Sequence, residues 1–320
     1  MTSYKEINFR LRPAKSMERK MMADMLQKLA HIKPLREYQY IGFGSTFFSE
    51  FRLFHKRLGI DDMVSIEQVW DDEERFRYNR PFSCIDLIME KSTQALPTLD
   101  WDKPVILWLD YDSVLKDYML EDDLQQFFAN AQPGSVIFIT VNSKSYDNDS
   151  FEEDETRLDR LGKEVGTGNI PSDIENEDVW LNKSETYRKI ITGVINYDHI
   201  DPRNSGEPEG KQVRFQQLAN FVYADDAKMM TLGGILLNDQ IQDSFEKASF
   251  SKLEFVRTDD RQYEIPTPNL TFEEMRGLDQ HLPGPIDEDN DDYDVPVPED
   301  TRKEYAEVYK YFPRFVESEL

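Results

Sequence analysis

Gly42-Phe-Gly44-Ser45 stands between a run of β-forming residues, Tyr38–Ile41, and a helical stretch from Phe47 to about Leu58. Glycines at a strand-to-helix turn let the backbone bend tightly and let a ligand approach the main chain. The helix N-terminus adds unpaired N–H groups. Glu67 ends the next β-forming run, Met63–Glu67, 23 residues beyond Gly44. An acid at that place can accept both hydrogen bonds of a ribose diol. Asp110 closes the apolar run Val105–Leu109, and Tyr111 and Asp112 follow it. Carboxylates there suit a general base, provided a proton donor comes within hydrogen-bond reach. A dinucleotide fingerprint, Gly-x-Gly-x-x-Gly, needs a third glycine where this chain has Phe47, so that reading fails at its last position.

These residues need elements to position them. Cys84–Met89, Val105–Leu109 and Ser135–Val141 read as further strands, apolar on both faces. Helical stretches at Asp71–Tyr78 and Leu120–Ala131 lie between them. Strands of that kind alternating with helices predict a parallel sheet covered on both sides, a doubly wound α/β domain. Before the glycine loop, Met17, Met21, Met22, Met25, Leu26 and Leu29 recur at helical spacing, which predicts a helix from an N-cap at Ser16 to about Ala30. Past residue 142 a stretch of about 75 residues is too long for a loop and predicts an insertion with its own structure. Ala219–Tyr223 and Met229–Leu237 flank Ala224-Asp-Asp-Ala227 and read as a β-hairpin. Lys252–Val256 reads as a strand, Thr271-Phe-Glu-Glu274 as a capping box, and Thr301–Val316 as a terminal helix.

Composition narrows the function classes. The chain has 320 residues, 39% of them hydrophobic and 12% aromatic, which excludes a disordered chain. A single cysteine, Cys84, excludes an intrachain disulfide and a cysteine-based zinc cage. The four histidines stand at no ligand spacing, so no metal site is expected; His55 is expected to be packed, and Cys84 to behave as a small hydrophobe. No apolar stretch approaches the roughly 20 residues of a membrane helix, and the N-terminus lacks a signal-peptide core. A cytoplasmic protein that avoids membranes is the expectation. The net charge of −25 hides an asymmetry: residues 1–60 carry +7 and the rest −32. Residues 281–300 hold eight acids, four prolines and no Lys or Arg, which reads as a solvated linker.

Taken together, the motifs resemble those of class I S-adenosylmethionine-dependent methyltransferases, and more narrowly bacterial proteins labelled O-methyltransferases. The resemblance rests on Arg12-Pro-Ala-Lys15, Tyr40-Ile-Gly-Phe-Gly-Ser45, Val64-Ser-Ile-Glu67, Trp108-Leu-Asp-Tyr-Asp112, Pro133-Gly-Ser-Val136 and the hairpin at 219–237, and spans roughly 35–142 and 219–238. It implies a mostly parallel seven-stranded Rossmann-like sheet. On that reading residues 1–245 form a methyltransferase-like domain that includes an N-terminal helical arm (1–35) and an insertion or substrate cap (143–215), both outside the superfamily resemblance, and 246–320 form a C-terminal extension. The resemblance implies S-adenosylmethionine as cofactor. Gly42, Gly44 and Ser45 would turn beneath its methionine part, Glu67 would hold its ribose, and Glu90, Lys91 or Ser92 would lie near its adenine. Asp110, Tyr111 and Asp112 would face substrate. Two positions depart from the superfamily: Tyr40 stands where an acid is usual, and Thr46 where the first loop has its third glycine. The Asp/Asn-Pro-Pro-aromatic motif of amino-methylating enzymes is missing, the comparable place reading Asp110-Tyr-Asp112-Ser113, which favours an oxygen acceptor.

Arg10, Arg12, Lys15 and Arg19 cluster ahead of the glycine loop. They read either as a face paired with the protein's own acids or as a rim for an anionic substrate, small molecule or single-stranded nucleic acid. The functional reading is methyl transfer to a hydroxyl. The alternative is a methyltransferase-like binding module that has lost turnover and serves a partner protein, such as one in bacterial defence, through the acidic linker or the terminal helix. A third is a nucleotide-binding protein using the same loop.

Overall fold

The computed structural model describes residues 12–147, 151, 154–284 and 295–314. Five parallel strands carry the short βα units read above: β1 (Gln39–Gly42), β2 (Asp62–Ile66), β3 (Ile85–Ile88), β4 (Val105–Asp110) and β5 (Val136–Asn142). An antiparallel hairpin, β6 (Arg214–Ala224) and β7 (Lys228–Leu237), adds to β5 through β7. A two-residue strand, β8 (Tyr263–Glu264), then pairs parallel to β6. The order is β3-β2-β1-β4-β5-β7-β6-β8, so the sheet has eight strands where the resemblance implied seven. The extra strand is not Lys252–Val256. That segment forms a 3-10 turn at Phe250–Lys252 instead, because Ser249 takes a left-handed conformation and reverses the chain there.

Eight helices matter here: α1 (Pro13–Gln27), α2 (Ser49–Leu58), α3 (Glu73–Asn79), α4 (Ser92–Ala95), α5 (Leu124–Asn130), α6 (Arg157–Val165), α7 (Asn176–Leu181) and α8 (Lys183–Gly193). Two π-helical turns extend them, Met119–Asp123 ahead of α5 and Val194–Ile200 after α8. One face of the sheet packs Tyr40, Trp108 and Phe138 against Met17, Met21 and Met22 of α1 and Phe51 and Phe54 of α2. The other packs Leu107, Leu109 and Ile139 against Phe127 and Phe128 of α5.

Besides α1, the two other regions outside the superfamily resemblance join these cores. Leu161, Val179, Ile190 and Ile191 of the insertion are buried on the second face. Phe255, Tyr263 and Val308 of the C-terminal extension are buried on the first. The insertion and the extension therefore both help to cover the sheet. A parallel strand buried on both faces needs cover on each, and the short βα connections of this chain supply too little. The terminal helix runs Glu299–Val308, shorter than expected. Half of the acidic linker, residues 285–294, lies outside the described residues. Among the described residues no helix is long and apolar enough to cross a membrane.

Helix α1 begins earlier than its hydrophobic spacing predicts. Pro13 occupies its first position, where a missing N–H costs nothing. The cap is not Ser16. Asp225, in the turn between β6 and β7, accepts from the amides of Ala14 (2.9 Å) and Lys15 (3.1 Å). A carboxylate at a helix N-terminus also meets the positive end of the helix dipole. The hairpin thereby helps to fix α1 beside the carboxyl end of β4, where Lys15 meets Asp110.

Candidate active site

Strand order reverses between β1 and β4, each of which has its next neighbour on the opposite side. In open α/β sheets the crevice outside such a switch point is where ligands bind. The glycine loop, Glu67 and Asp110 all reach it from strand ends.

The loop is held from beneath. Gly44 donates its amide to Glu67 Oε1 (2.7 Å) and lies 3.1 Å from Ser65 Oγ. Ser65 Oγ donates to the same Glu67 oxygen at 2.9 Å. A Cβ on Gly44 would lie 2.7 Å from both Phe48 Cδ1 and Ser65 Oγ, and one on Gly42 would lie 2.6 Å from the Tyr40 hydroxyl, so neither position admits a side chain without rearrangement. Ser45 and Phe48 sit at φ 48° and 49°, the left-handed region that non-glycine residues rarely take. Strain of this kind persists where the surroundings over-determine it, as they do at ligand clamps. Thr46, in place of a third glycine, is accommodated within this loop. Helix α2 starts only at Ser49 because Phe48 is left-handed.

Glu67 is 8% exposed. Burial pushes its carboxyl up to about 7, against the hydrogen bonds from Ser65 and the Gly44 and Ser45 amides. The sign has a consequence. A carboxyl raised in the folded state favours folding when protonated; that stability is full below its ordinary value of 4.5 and lost as pH rises through 7. Glu67→Gln, neutral at every pH, is expected to match wild type near pH 4.5 and to exceed it by about 1–3 kcal/mol at pH 8. Urea unfolding at both pH values checks this; parallel pH profiles for the two proteins would mean that Glu67 gains no proton on folding.

Asp110, at the end of β4, is 21% exposed in its side chain, and Lys15 of α1 meets it at 2.6 Å. Lys15 is almost fully buried. Its ammonium also reaches Glu18 Oε2 (2.7 Å) and the Tyr223 hydroxyl (3.1 Å), and lies 4.5 Å over the Trp108 ring. Glu18 Oε1 accepts from Thr231 Oγ1, which shares a 2.7 Å hydrogen bond with Thr140 Oγ1; the Trp108 indole donates to Thr140 at 2.9 Å. Burial pushes Glu18 above the usual carboxylate range, with Lys15 opposing. Beside this chain Arg19 pairs with Glu50 at 2.5 Å. Tyr40 fills the position of the usual acid with a buried phenol, edge-on to Phe51 and Phe54.

Three members of the basic cluster are therefore paired with the protein's own acids. Arg12 faces Asp225 at 3.4 Å, Lys15 faces Asp110 and Glu18, and Arg19 faces Glu50. Helix α1 is buried along most of its length, so these pairs lie largely inside the fold. Arg10 lies outside the described residues.

On the far side of the crevice Tyr111 turns inward. Its hydroxyl and that of Ser92 (2.7 Å) both donate to Asp123 Oδ2, and its ring packs edge-on against Phe43 at 5.2 Å. Asp123 is buried. Burial pushes its carboxyl up to about 6 against those two hydrogen bonds, and its Oδ1 is buried without a hydrogen-bond partner among the described residues. Of the residues expected near adenine, Ser92 joins this cluster, whereas Glu90 and Lys91 are exposed. Asp112 is exposed as well.

Sequence reasoning missed Asp123, Glu18, Glu50 and Asp225. Two of them carried a signal. Asp123 falls within the apolar spacing Leu120, Leu124, Phe127, and Glu18 within Ala14, Met21, Met22, Met25. An acid on the apolar stripe of a helix is buried and must find a partner.

A doubly wound sheet ending in an antiparallel hairpin, with a glycine loop and strand-end acids at its switch point, defines the class I methyltransferase fold. Residues 7–320 match the family described as "Putative O-methyltransferase", and the chain belongs to that family. Solved structures with a similar fold include the O-methyltransferase TomG from Streptomyces achromogenes in complex with SAM (16% identity, 67% of this chain and 79% of that chain covered, TM-score 0.34). An O-methyltransferase from Bacillus cereus in complex with SAH is another (14% identity, 67% and 80% covered, TM-score 0.35). Trm1 from Pyrococcus horikoshii with S-adenosyl-L-methionine is a third (10% identity, 72% and 57% covered, TM-score 0.41). No curated protein sequence matches the chain.

Proposed function

We propose that this protein binds S-adenosylmethionine in the crevice between β1 and β4 and transfers its methyl group to a hydroxyl oxygen. The observation that carries the proposal is the strained glycine loop stapled by Glu67, facing a partly exposed Asp110 across the switch point. The cofactor supplies an electrophilic methyl on a sulfonium. This chain's residues do the rest. Gly42, Gly44 and Ser45 offer a close backbone approach, and the oxygen of Glu67 turned away from Gly44 suits a ribose hydroxyl. Asp123, whose Oδ1 has no partner among the described residues, suits the amine edge of a purine, with Ser92 and Tyr111 holding it in place. Asp110 accepts the acceptor hydroxyl's proton, and Lys15 holds that carboxylate in place. Alignment of the reacting atoms supplies much of the acceleration in such a displacement.

A binding module without turnover is the second reading, favoured by the tight Lys15–Asp110 pair and by Tyr40. Calorimetric titration separates the two from a fold that has lost its cofactor. S-adenosylmethionine and S-adenosylhomocysteine are expected to bind at micromolar concentration, and Glu67→Ala to abolish that binding. No heat from either compound would overturn the cofactor assignment. Binding without product over a broad hydroxyl-acceptor screen would support the module.

A further inference from the structure

At the end of the sheet opposite the glycine loop, three side chains with metal-ligating atoms converge from separate segments. His55 lies in the last turn of α2, Asp61 in the loop before β2, and Cys84 just before β3. His55 Nδ1 is 3.0 Å from Asp61 Oδ1 and 3.7 Å from Cys84 Sγ, and the three ligating atoms lie within 4.8 Å of one another. Six and twenty-three residues separate them along the chain, which is why no ligand spacing shows in the sequence. Gly59, left-handed at φ 69°, ends α2 and turns the chain so that Asp61 comes back beside His55.

We propose that His55, Asp61 and Cys84 form a zinc site with one open position. Tetrahedral zinc with bonds of about 2.0–2.3 Å sets its ligand atoms roughly 3.2–3.8 Å apart. The sulfur–nitrogen separation of 3.7 Å falls within that range, and the nitrogen–oxygen separation of 3.0 Å lies just below it. One sulfur, one nitrogen and one oxygen form a mixed donor set that suits a borderline cation; magnesium and calcium prefer oxygen throughout. Charge balances as well. A thiolate, a carboxylate and a neutral imidazole offset the two positive charges, with the thiol proton going to solvent and the imidazole proton moving from Nδ1 to Nε2.

The surroundings fit a ligand. Phe82 packs on the imidazole at 4.3 Å between ring centres and sets its plane. The Ile60 carbonyl lies 3.0 Å from Nδ1 and takes its hydrogen bond when no metal is bound. The side chains of His55 and Asp61 are 27% and 70% exposed, so an ion can enter and a water can fill the fourth position. A metal here would tie the C-terminus of α2 to the starts of β2 and β3. The N-terminus of that same helix follows the glycine loop, so the site would brace the helix from its far end.

The test uses the full chain, stripped of metal with a chelator and then titrated with ZnCl2. About one zinc per chain is expected to bind, with micromolar or tighter affinity, and the melting temperature to rise by several degrees as zinc saturates. Cobalt in place of zinc is expected to give a thiolate-to-metal charge-transfer absorption, a signature that a purely structural role for Cys84 lacks. Cys84→Ser and His55→Ala are each expected to weaken zinc binding at least 10-fold and to remove that absorption. Urea unfolding without metal shows that each variant folds; should one fail, the other carries the comparison. Absence of stoichiometric zinc binding overturns the proposal. So does zinc binding unchanged in both folded variants, which would place the ion elsewhere. The readouts are independent of S-adenosylmethionine binding, and the zinc site stands or falls separately from the methyltransferase reading.

Discussion

Replacing Lys15 with methionine is expected to destabilise the protein by about 3–5 kcal/mol, the cost of removing one partner from a buried ion pair. Lys15 bridges two carboxylates, Asp110 and Glu18, and its side chain is only 2% exposed. Methionine fills similar space and keeps the contact with Trp108, so little of the loss comes from packing. The loss comes from Glu18. Burial already pushes that carboxyl above its usual range with Lys15 opposing. Without the ammonium it must fold either as an unpaired buried anion or with a proton taken from solvent. A carboxyl whose folded value is raised costs least below its ordinary value of 4.5 and most above its folded value, so the deficit is expected to shrink at pH 5. Urea unfolding at pH 5 and pH 7 reads both effects. Adding Glu18→Gln to the variant removes the stranded charge and is expected to recover much of the stability. A loss under about 1 kcal/mol, or no recovery in the double variant, would mean that the pair is energetically idle.

Asp110→Asn is expected to lower methyl transfer by about 10²–10⁴-fold, the usual contribution of a positioned acid or base. Asparagine keeps the shape and leaves an oxygen for Lys15, whose charge stays matched by Glu18 at 2.7 Å. The fold and S-adenosylmethionine affinity are therefore expected to hold while turnover falls. Release of S-adenosylhomocysteine, followed with an acceptor found in a hydroxyl-compound screen, measures the rate; calorimetry on the same sample measures affinity. Equal turnover in the two proteins would move the base away from Asp110, and a parallel loss of cofactor affinity would make Asp110 part of the binding site.

Much of this arrangement was legible in the chain. Strands such as Val105–Leu109, apolar at every position, belong only in a sheet covered on both sides, and glycines between a strand and a helix mark the switch-point turn. Local patterns of this kind survive translation into structure because period and turn chemistry are properties of adjacent residues. Boundaries were less legible. The start of α1 depends on Asp225, 211 residues away from the amide it caps. Its helical spacing said that a helix was present and nothing about what ended it. The insertion and the tail read as additions because their apolar residues are sparse, yet those residues complete the two cores.

The sequence by itself determined the sheet's parallel half, its hairpin, the glycine loop and the acids at the strand ends. Each is encoded in residues a few positions apart. Only the tertiary structure decided what the charges do. Arg12, Lys15 and Arg19, a basic face when read along the chain, become internal counterions to Asp225, Asp110, Glu18 and Glu50. Glu67, read as a ligand residue, also staples the loop it faces. His55, Asp61 and Cys84, unrelated in spacing, meet around one point. The reason is physical. Hydrophobic periodicity acts locally and can be read in one dimension. A charge takes its meaning from whichever groups the fold brings within a few ångströms, and from how much water it leaves there.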